Sequence, residues 1–340
     1  MEWKTGAIAA AALGVGAAAW TLTRNRGEMA LRGKTVLITG GSRGLGLQLA
    51  REFGAEGARL VICARDQEEL ERARRDLAGR GIDVRVIACD ITDREQVARM
   101  AGEVGSVDVL VNNAGVIAVG PVETMTIEDF EYAMNVMFWG ALHVTLAVLP
   151  SMRSRREGRI VNITSVGGKV SVPHLIPYSC AKFALVALSE GLRAELSSSG
   201  IKVVTIVPGL MRTGSHLNAQ FKGRHEREFG WFSLGAATPF ISISAERAAR
   251  SIVRSTKRGD AESILSMPAN LAARFNGAFP ELMAPLMGVV NQFLPSAPDA
   301  ATKLEPGHEA QRRMNSRLFE SATQMGRAAG ERLNELPART

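Results

Sequence analysis

Tyr178 and Lys182 stand four residues apart in the segment Pro177-Tyr178-Ser179-Cys180-Ala181-Lys182-Phe183. Leu185, Leu188 and Leu192 continue an apolar stripe at helical spacing, so both side chains share one helix face. A free phenol titrates near about pH 10 and is a poor acid–base catalyst at neutrality. Nearby positive charge favours the phenolate, which makes Tyr178 a candidate proton-transferring residue and Lys182 its partner. Ser165 follows the run Ile160-Val161-Asn162-Ile163-Thr164, where its hydroxyl can hydrogen-bond a reacting oxygen. Taken alone, a tyrosine and lysine at this spacing are usually an exposed helix pair; the rest of the chain decides between the readings.

The second chemical cluster is Thr39-Gly40-Gly41-Ser42-Arg43-Gly44-Leu45-Gly46, which leads into the apolar-periodic Leu47, Leu49, Ala50 and Phe53. Glycines let a backbone turn tightly and approach a pyrophosphate, and the N-terminus of the following helix offers unpaired N–H groups and a positive dipole end. A glycine cluster by itself is equally a plain strand-to-helix turn. Ala64 and Arg65 end a second apolar run, at the position where an acid would bind ribose hydroxyls. Arg65 suits a 2′-phosphate instead, and Arg43 is a second candidate for it. NADP(H) is therefore expected ahead of NAD(H), which Asp66 keeps open.

These residues need strands to carry them. Short β-branched runs at 35–39, 59–63, 84–88, 109–112, 160–164 and 203–207, with a seventh at 263–266, alternate with helical-period segments. That alternation means a doubly wound parallel sheet of Rossmann type, with ligands expected beyond the carboxyl ends of the strands.

The spacing T-G-x-x-x-G-x-G resembles that of the short-chain dehydrogenase/reductase family. Asp90-Ile91 resembles the family's adenine-binding pair, and Asn112-Asn113-Ala114-Gly115 its N-N-A-G turn. Ser165, Tyr178 and Lys182 resemble its catalytic set, with Asn135 similar to the helix asparagine that holds a water linking lysine to solvent. In Pro208-Gly209-Leu210-Met211-Arg212-Thr213, the resemblance places the nicotinamide side at Pro208 and Gly209 and a carboxamide contact at Thr213. The resemblance implies hydride transfer between a nicotinamide cofactor and a carbonyl or alcohol, and a homo-oligomer. A 3-oxoacyl carrier-protein reductase and a catalytically silent dinucleotide-binding regulator stay open as alternatives.

The aromatic-rich loop after the sixth run holds His216, Leu217, Phe221, Phe229, Trp231, Phe232 and Phe240, which suits an apolar substrate or simple packing of a long loop. His174 is assigned no role.

The 340 residues, 46% of them hydrophobic, exclude global disorder, and three cysteines without C-x-x-C spacing suggest neither disulfides nor a metal site. The net charge of +7 comes from scattered arginines rather than a patch, so nucleic acid is not an expected partner. The catalytic domain is expected at 29–267. Residues 1–28 hold a run free of charge from Gly6 to Thr23, just long enough to cross a bilayer, with a cleaved leader as the competing reading. Arg24, Arg26, Arg32 and Lys34 follow it, which places the folded domain in the cytoplasm, possible membrane association included.

Residues 268–340 are expected as a helical extension. Leu271, Phe275, Phe279, Leu282, Leu286, Val290 and Phe293 form an apolar stretch that Pro280 and Pro285 should break or kink. Met314, Leu318, Ala322, Met325, Ala329 and Leu333 mark a last amphipathic helix.

Overall fold

The computed structural model describes residues 28–238, 241–297, 303–314 and 317–336. The apolar run from Gly6 to Thr23, Phe240, and the side chains of Leu318, Ala322 and Met325 lie outside the described residues.

Seven strands form one parallel sheet: β1 (Thr35–Thr39), β2 (Arg59–Ala64), β3 (Val84–Ala88), β4 (Val109–Asn112), β5 (Gly158–Ile163), β6 (Ile201–Val207) and β7 (Glu262–Ile264). Their spatial order is β7-β6-β5-β4-β1-β2-β3. The order reverses beside β1, where Ile38 lies opposite Ile62 on one side and Val111 on the other. A crevice at the carboxyl ends of β1 and β4 follows from this topology, because the helices leaving the two strands go to opposite faces.

The pleat explains the runs of Val, Ile and Leu. Val36 and Ile38 point to the face covered by α1 (Gly44–Ala55) through Leu47 and Phe53, by α2 (Gln67–Ala78) through Leu70, and by Ile252 further along the chain. Leu37 points to the other face, against Met100 of α3 (Arg94–Val104) and against Val144 and Val148 further along. Each fully buried aliphatic side chain contributes about 1.5–3 kcal/mol.

The helical run Ile127–Arg155 comprises α4 (Ile127–Met134), a π turn over Asn135–Trp139 and α5 (Gly140–Arg155). It is long and apolar enough to span a membrane, yet half of its apolar window is buried, and Val144, Val148 and Met152 pack on the sheet as a core helix does.

After β5 comes α6 (Ile176–Glu195), and after β6 a long excursion containing α7 (His225–Ala237), followed by α8 (Ala245–Arg258). Phe221, Phe229 and Phe232 close on one another in a separate small core. These rings do not line the cleft described below, so the packing reading of that loop is the one the structure supports.

The C-terminal extension has two parts. In α9 (Met267–Ala278) and α10 (Pro280–Gln292) the chain breaks at Phe279 and Pro280 opens the second helix, whereas Pro285 sits inside α10 without ending it. From Glu305 onward the extension is built into the main body. Glu305–Pro306 pairs antiparallel with Gln220–Phe221, while α11 (Gly307–Arg313) and α12 (Arg317–Arg332) pack on α7. Ala329 and Leu333 are buried against Ala245 of α8.

Candidate active site

The glycine turn is locked to the neighbouring strand end before any ligand is considered. Thr39 Oγ1 accepts the N–H groups of Asn113 at 3.0 Å and Ala114 at 3.1 Å, and Asn113 Nδ2 donates to the carbonyls of Thr39 and Gly40, each at 3.0 Å. Gly40 has φ +63°, and a Cβ there would stand 2.8 Å from the Ala114 Cα. At Gly46 a Cβ would lie 2.0 Å from the Gly40 carbonyl oxygen, so α1 starts directly on the turn. Thr39, expected as a cofactor contact, is buried and outside the cleft. Its hydroxyl instead joins the ends of β1 and β4.

A cleft of about 620 Å³ runs over the carboxyl ends of the strands. Its middle is lined by Gly40, Ser42, Arg43, Gly44, Leu45 and Gly46, with Asn113, Ala114 and Gly115 opposite. Arg65, Asp90 and Ile91 line one end. Ser165, Tyr178, Lys182, Pro208, Gly209 and Thr213 line the other. Residues spread over much of the chain are thus brought into one groove.

At the first end, Arg65 Nη2 donates to the Tyr132 hydroxyl at 3.2 Å. Arg43 is more heavily engaged, with Glu69 at 3.0 Å and Glu335 at 3.6 Å. Asp66 Oδ1 accepts the Glu69 N–H at 2.8 Å, the N-cap of α2, a structural task that accounts for this acid. Asp90 Oδ1 accepts the Thr92 N–H and hydroxyl at 2.9 and 2.8 Å.

At the other end, Ser165 Oγ accepts the Gly167 N–H at 3.0 Å and is hydrogen-bonded to the Tyr178 hydroxyl. Burial pushes the Tyr178 phenol above its ordinary range, and the Ser165 bond pulls it back only in part. Lys182 Nζ donates to the Ile163 carbonyl at 2.8 Å and lies 5.7 Å from the centroid of the Tyr178 ring. Burial pulls its pKa down to about 8. Within the protein alone, burial therefore leaves the phenol harder to ionise than the sequence expectation held.

Asn135 is the candidate that the structure does not bring in. Its side chain is exposed and outside the cleft. The π turn that begins at this residue closes through the Gly140 N–H to the Asn135 carbonyl, one residue longer than an α turn, and the faces of Val136 and Met137 turn inward instead.

Several cleft residues carried no motif: Val116, Ile117, Ser215 and, from the far end of the chain, Glu335. His174 lies outside the cleft and is buried with φ +63°, its Nδ1 2.9 Å from the Glu228 carboxylate, which also accepts Trp231 Nε1–H at 2.7 Å. That arrangement ties the loop before α6 to α7.

A doubly wound parallel sheet with a continuous groove over its switch point is the architecture of a nucleotide-binding fold. The family model described as short chain dehydrogenase matches residues 34–222, and the chain belongs to that family. It is 36% identical over 262 residues to the dehydrogenase/reductase SDR family protein 7-like of Anopheles gambiae, covering 74% of this chain and 81% of that one. Among solved structures, a short-chain dehydrogenase from Streptomyces avermitilis is similar with a TM-score of 0.65 and 31% identity, over 78% of this chain and 98% of that one. A gluconate 5-dehydrogenase from Burkholderia cenocepacia, solved with NADP and tartrate, has a TM-score of 0.62 and 27% identity, over 74% of this chain and 98% of that one. The protein is an NAD(P)-dependent oxidoreductase acting on CH–OH groups.

Proposed function

We propose that the protein is an NADP(H)-dependent reductase of an apolar carbonyl compound, or the dehydrogenase of the matching alcohol. The observation that carries this reading is the single groove that joins the glycine turn and Arg65 to Ser165, Tyr178 and Lys182. The groove fits a dinucleotide: its centre is glycine backbone in which a Cβ at Gly40 or Gly46 would collide, and at one end the Arg65 guanidinium lines the cleft with its Nη2 on the Tyr132 phenol. Arg65 would hold a 2′-phosphate, the turn at Ser42, Gly44, Leu45 and Gly46 the pyrophosphate, and Lys182 a ribose. The related gluconate 5-dehydrogenase was solved with NADP, which supports the same preference.

When bound, the cofactor supplies or accepts the hydride and, oxidised, adds the positive charge that favours a tyrosinate. For reduction, Ser165 and Tyr178 hold the carbonyl oxygen, and Tyr178 gives it a proton while Lys182 stabilises the phenolate left behind. Oxidation runs the same steps in reverse. Val116 packs on the same small cluster as Tyr178, and Val116, Ile117 and Met211 line the cleft, which supports an apolar group beside the reacting carbon.

Fluorescence titration with NADPH and NADH tests the cofactor reading. Wild type is expected to bind NADPH more tightly, and Arg65→Ala is expected to lose that margin and keep its NADH affinity. Equal binding of the two by wild type overturns the preference.

We further propose that residues 1–28 tether this domain to a membrane from the cytoplasmic side, and that the chain self-associates. Exposed Tyr132, Trp139, Leu146 and Phe183 on α4 to α6 support the second point. Recovery of full-length protein in the soluble fraction without detergent overturns the tether, and a monomeric mass by light scattering overturns the association.

A further inference from the structure

The last described residues reach the centre of the groove. The Leu333 carbonyl accepts the Gly44 N–H at 2.8 Å, one of the backbone donors of the glycine turn. Asn334, at φ +57°, donates from Nδ2 to the Ser42 and Glu69 carbonyls at 2.9 and 3.2 Å, and its Oδ1 accepts Arg72 Nε–H at 2.9 Å. Glu335 follows, buried, and lines the cleft. Its Oε1 lies 2.5 Å from where a Cβ on Gly44 would be, and its Oε2 accepts Asn218 Nδ2–H at 2.6 Å. The tail therefore spans the groove from the glycine turn to the loop after β6, with a carboxyl group where a dinucleotide's phosphates would approach.

We propose that Glu335 is a residue of the cofactor site that sets dinucleotide affinity: its ionised carboxylate opposes the phosphates, so the cofactor binds with this carboxyl protonated and takes up a proton as it does so. The proposal rests on reading the groove as the dinucleotide site.

Four charged groups face or hold this tail. Arg43 from the glycine turn and Glu69 from α2 flank the carboxyl, Arg72 from α2 holds Asn334, and Arg51 from α1 donates to the Arg332 carbonyl at 2.7 Å. Arg43 is shared between the two acids and does not neutralise both. Burial raises Glu335 to about 7; Arg43 and Asn218 act against the rise and Glu69 adds to it. An incoming phosphate pushes in the same direction as Glu69. Protonation near neutrality is easier than withdrawal, because withdrawal would break the hydrogen bonds that hold Leu333 and Asn334.

The test is isothermal titration of NADPH and of NADH into wild type, Glu335→Gln and Glu335→Ala, from pH 6 to 9, with circular dichroism to show that each variant is folded. Other groups that titrate in this range, Lys182 among them, are common to all three proteins and cancel in the ratio of dissociation constants. Wild type and E335Q are expected to bind alike at pH 6. Above about pH 7 wild type should weaken relative to E335Q by up to about tenfold per pH unit. At pH 8, repeating the titration in buffers of different ionisation enthalpy should show wild type taking up more protons than either variant, by up to one per cofactor bound. A constant ratio across the range, or weaker binding by folded E335Q and E335A, overturns the proposal and leaves the dinucleotide reading intact. Failure of all three folded proteins to bind either dinucleotide at any pH overturns both.

Discussion

At the scale of single residues, the groove holds Lys182 and Tyr178 in positions where burial penalises their charged forms. Lys182 is buried, and its pKa falls to about 8 from an unfolded value near about 10.4. Its contribution to stability is thus complete above the unfolded value and lost as pH falls through about 8. Lys182→Met is expected to raise the melting temperature at pH 7 by about 2–4 °C for each kcal/mol recovered, with the gap to wild type closing above pH 8, while turnover disappears. Thermal melts across pH, set beside activity, check this; a variant less stable than wild type at pH 7 contradicts it. Tyr178→Phe keeps the ring and removes the proton. It should lower kcat by about 10²–10⁴ and leave NADPH affinity unchanged in a fluorescence titration, because only the proton-transfer step is lost.

At the scale of elements, the groove depends on how helices begin. Asp66 caps α2, so Asp66→Ala is expected to cost about 1 kcal/mol in chemical denaturation and to leave the NADPH-to-NADH preference as it is. A gain or loss of NADH binding would instead give Asp66 a place at the ribose. Gly46 is the first-turn residue of α1 with no room for a side chain, since its Cβ would meet the Gly40 carbonyl oxygen at 2.0 Å. Gly46→Ala must push α1 away from the turn and is expected to cost about 3 kcal/mol or more, or to abolish dinucleotide binding in a folded protein. Denaturation and titration on the same sample separate the two results.

At the scale of the whole molecule, the described segment from Glu305 onward packs into the body that carries the groove. The segment from Glu305 completes a small sheet with Gln220–Phe221 and Ala118–Val119, and α12 leads Ala329 and Leu333 into a buried contact with α8. Ending the chain after Met314 removes that contact and the three residues that cap the glycine turn. The truncated protein is expected to unfold at lower urea with a smaller m-value, because less surface is exposed on unfolding. Faster amide exchange at Gly44 should accompany it, since the Leu333 carbonyl no longer holds that N–H. Equal exchange at Gly44 in the two proteins would show that the tail leaves the turn in solution. By contrast, α9 and α10 carry exposed Leu271, Phe275, Phe279, Leu282, Leu286 and Phe293 and contribute little to the core.

Spacing along the chain was enough to reveal the sheet, because its central strands β1 and β4 are nearly continuous apolar runs covered on both faces, and to find most of the groove, because the glycines, Asn113 and Ser165 follow strand ends and Tyr178 and Lys182 share the first turns of α6. Tertiary structure decided what depends on distant partners. Thr39 proved a fastener between strand ends because the β4 turn closes over it, and Asn135 faces outward because a π turn shifts the helix face. Phe221, Phe229 and Phe232 pack on one another once the Glu305–Pro306 strand joins Gln220–Phe221. Glu335 carried no signal at all, since neither periodicity nor motif relates a residue near the chain's end to a glycine turn near its beginning. Only the docking of α12 on α7 and α8 brings the two together, and that contact is set by surface shape and burial rather than by spacing along the chain.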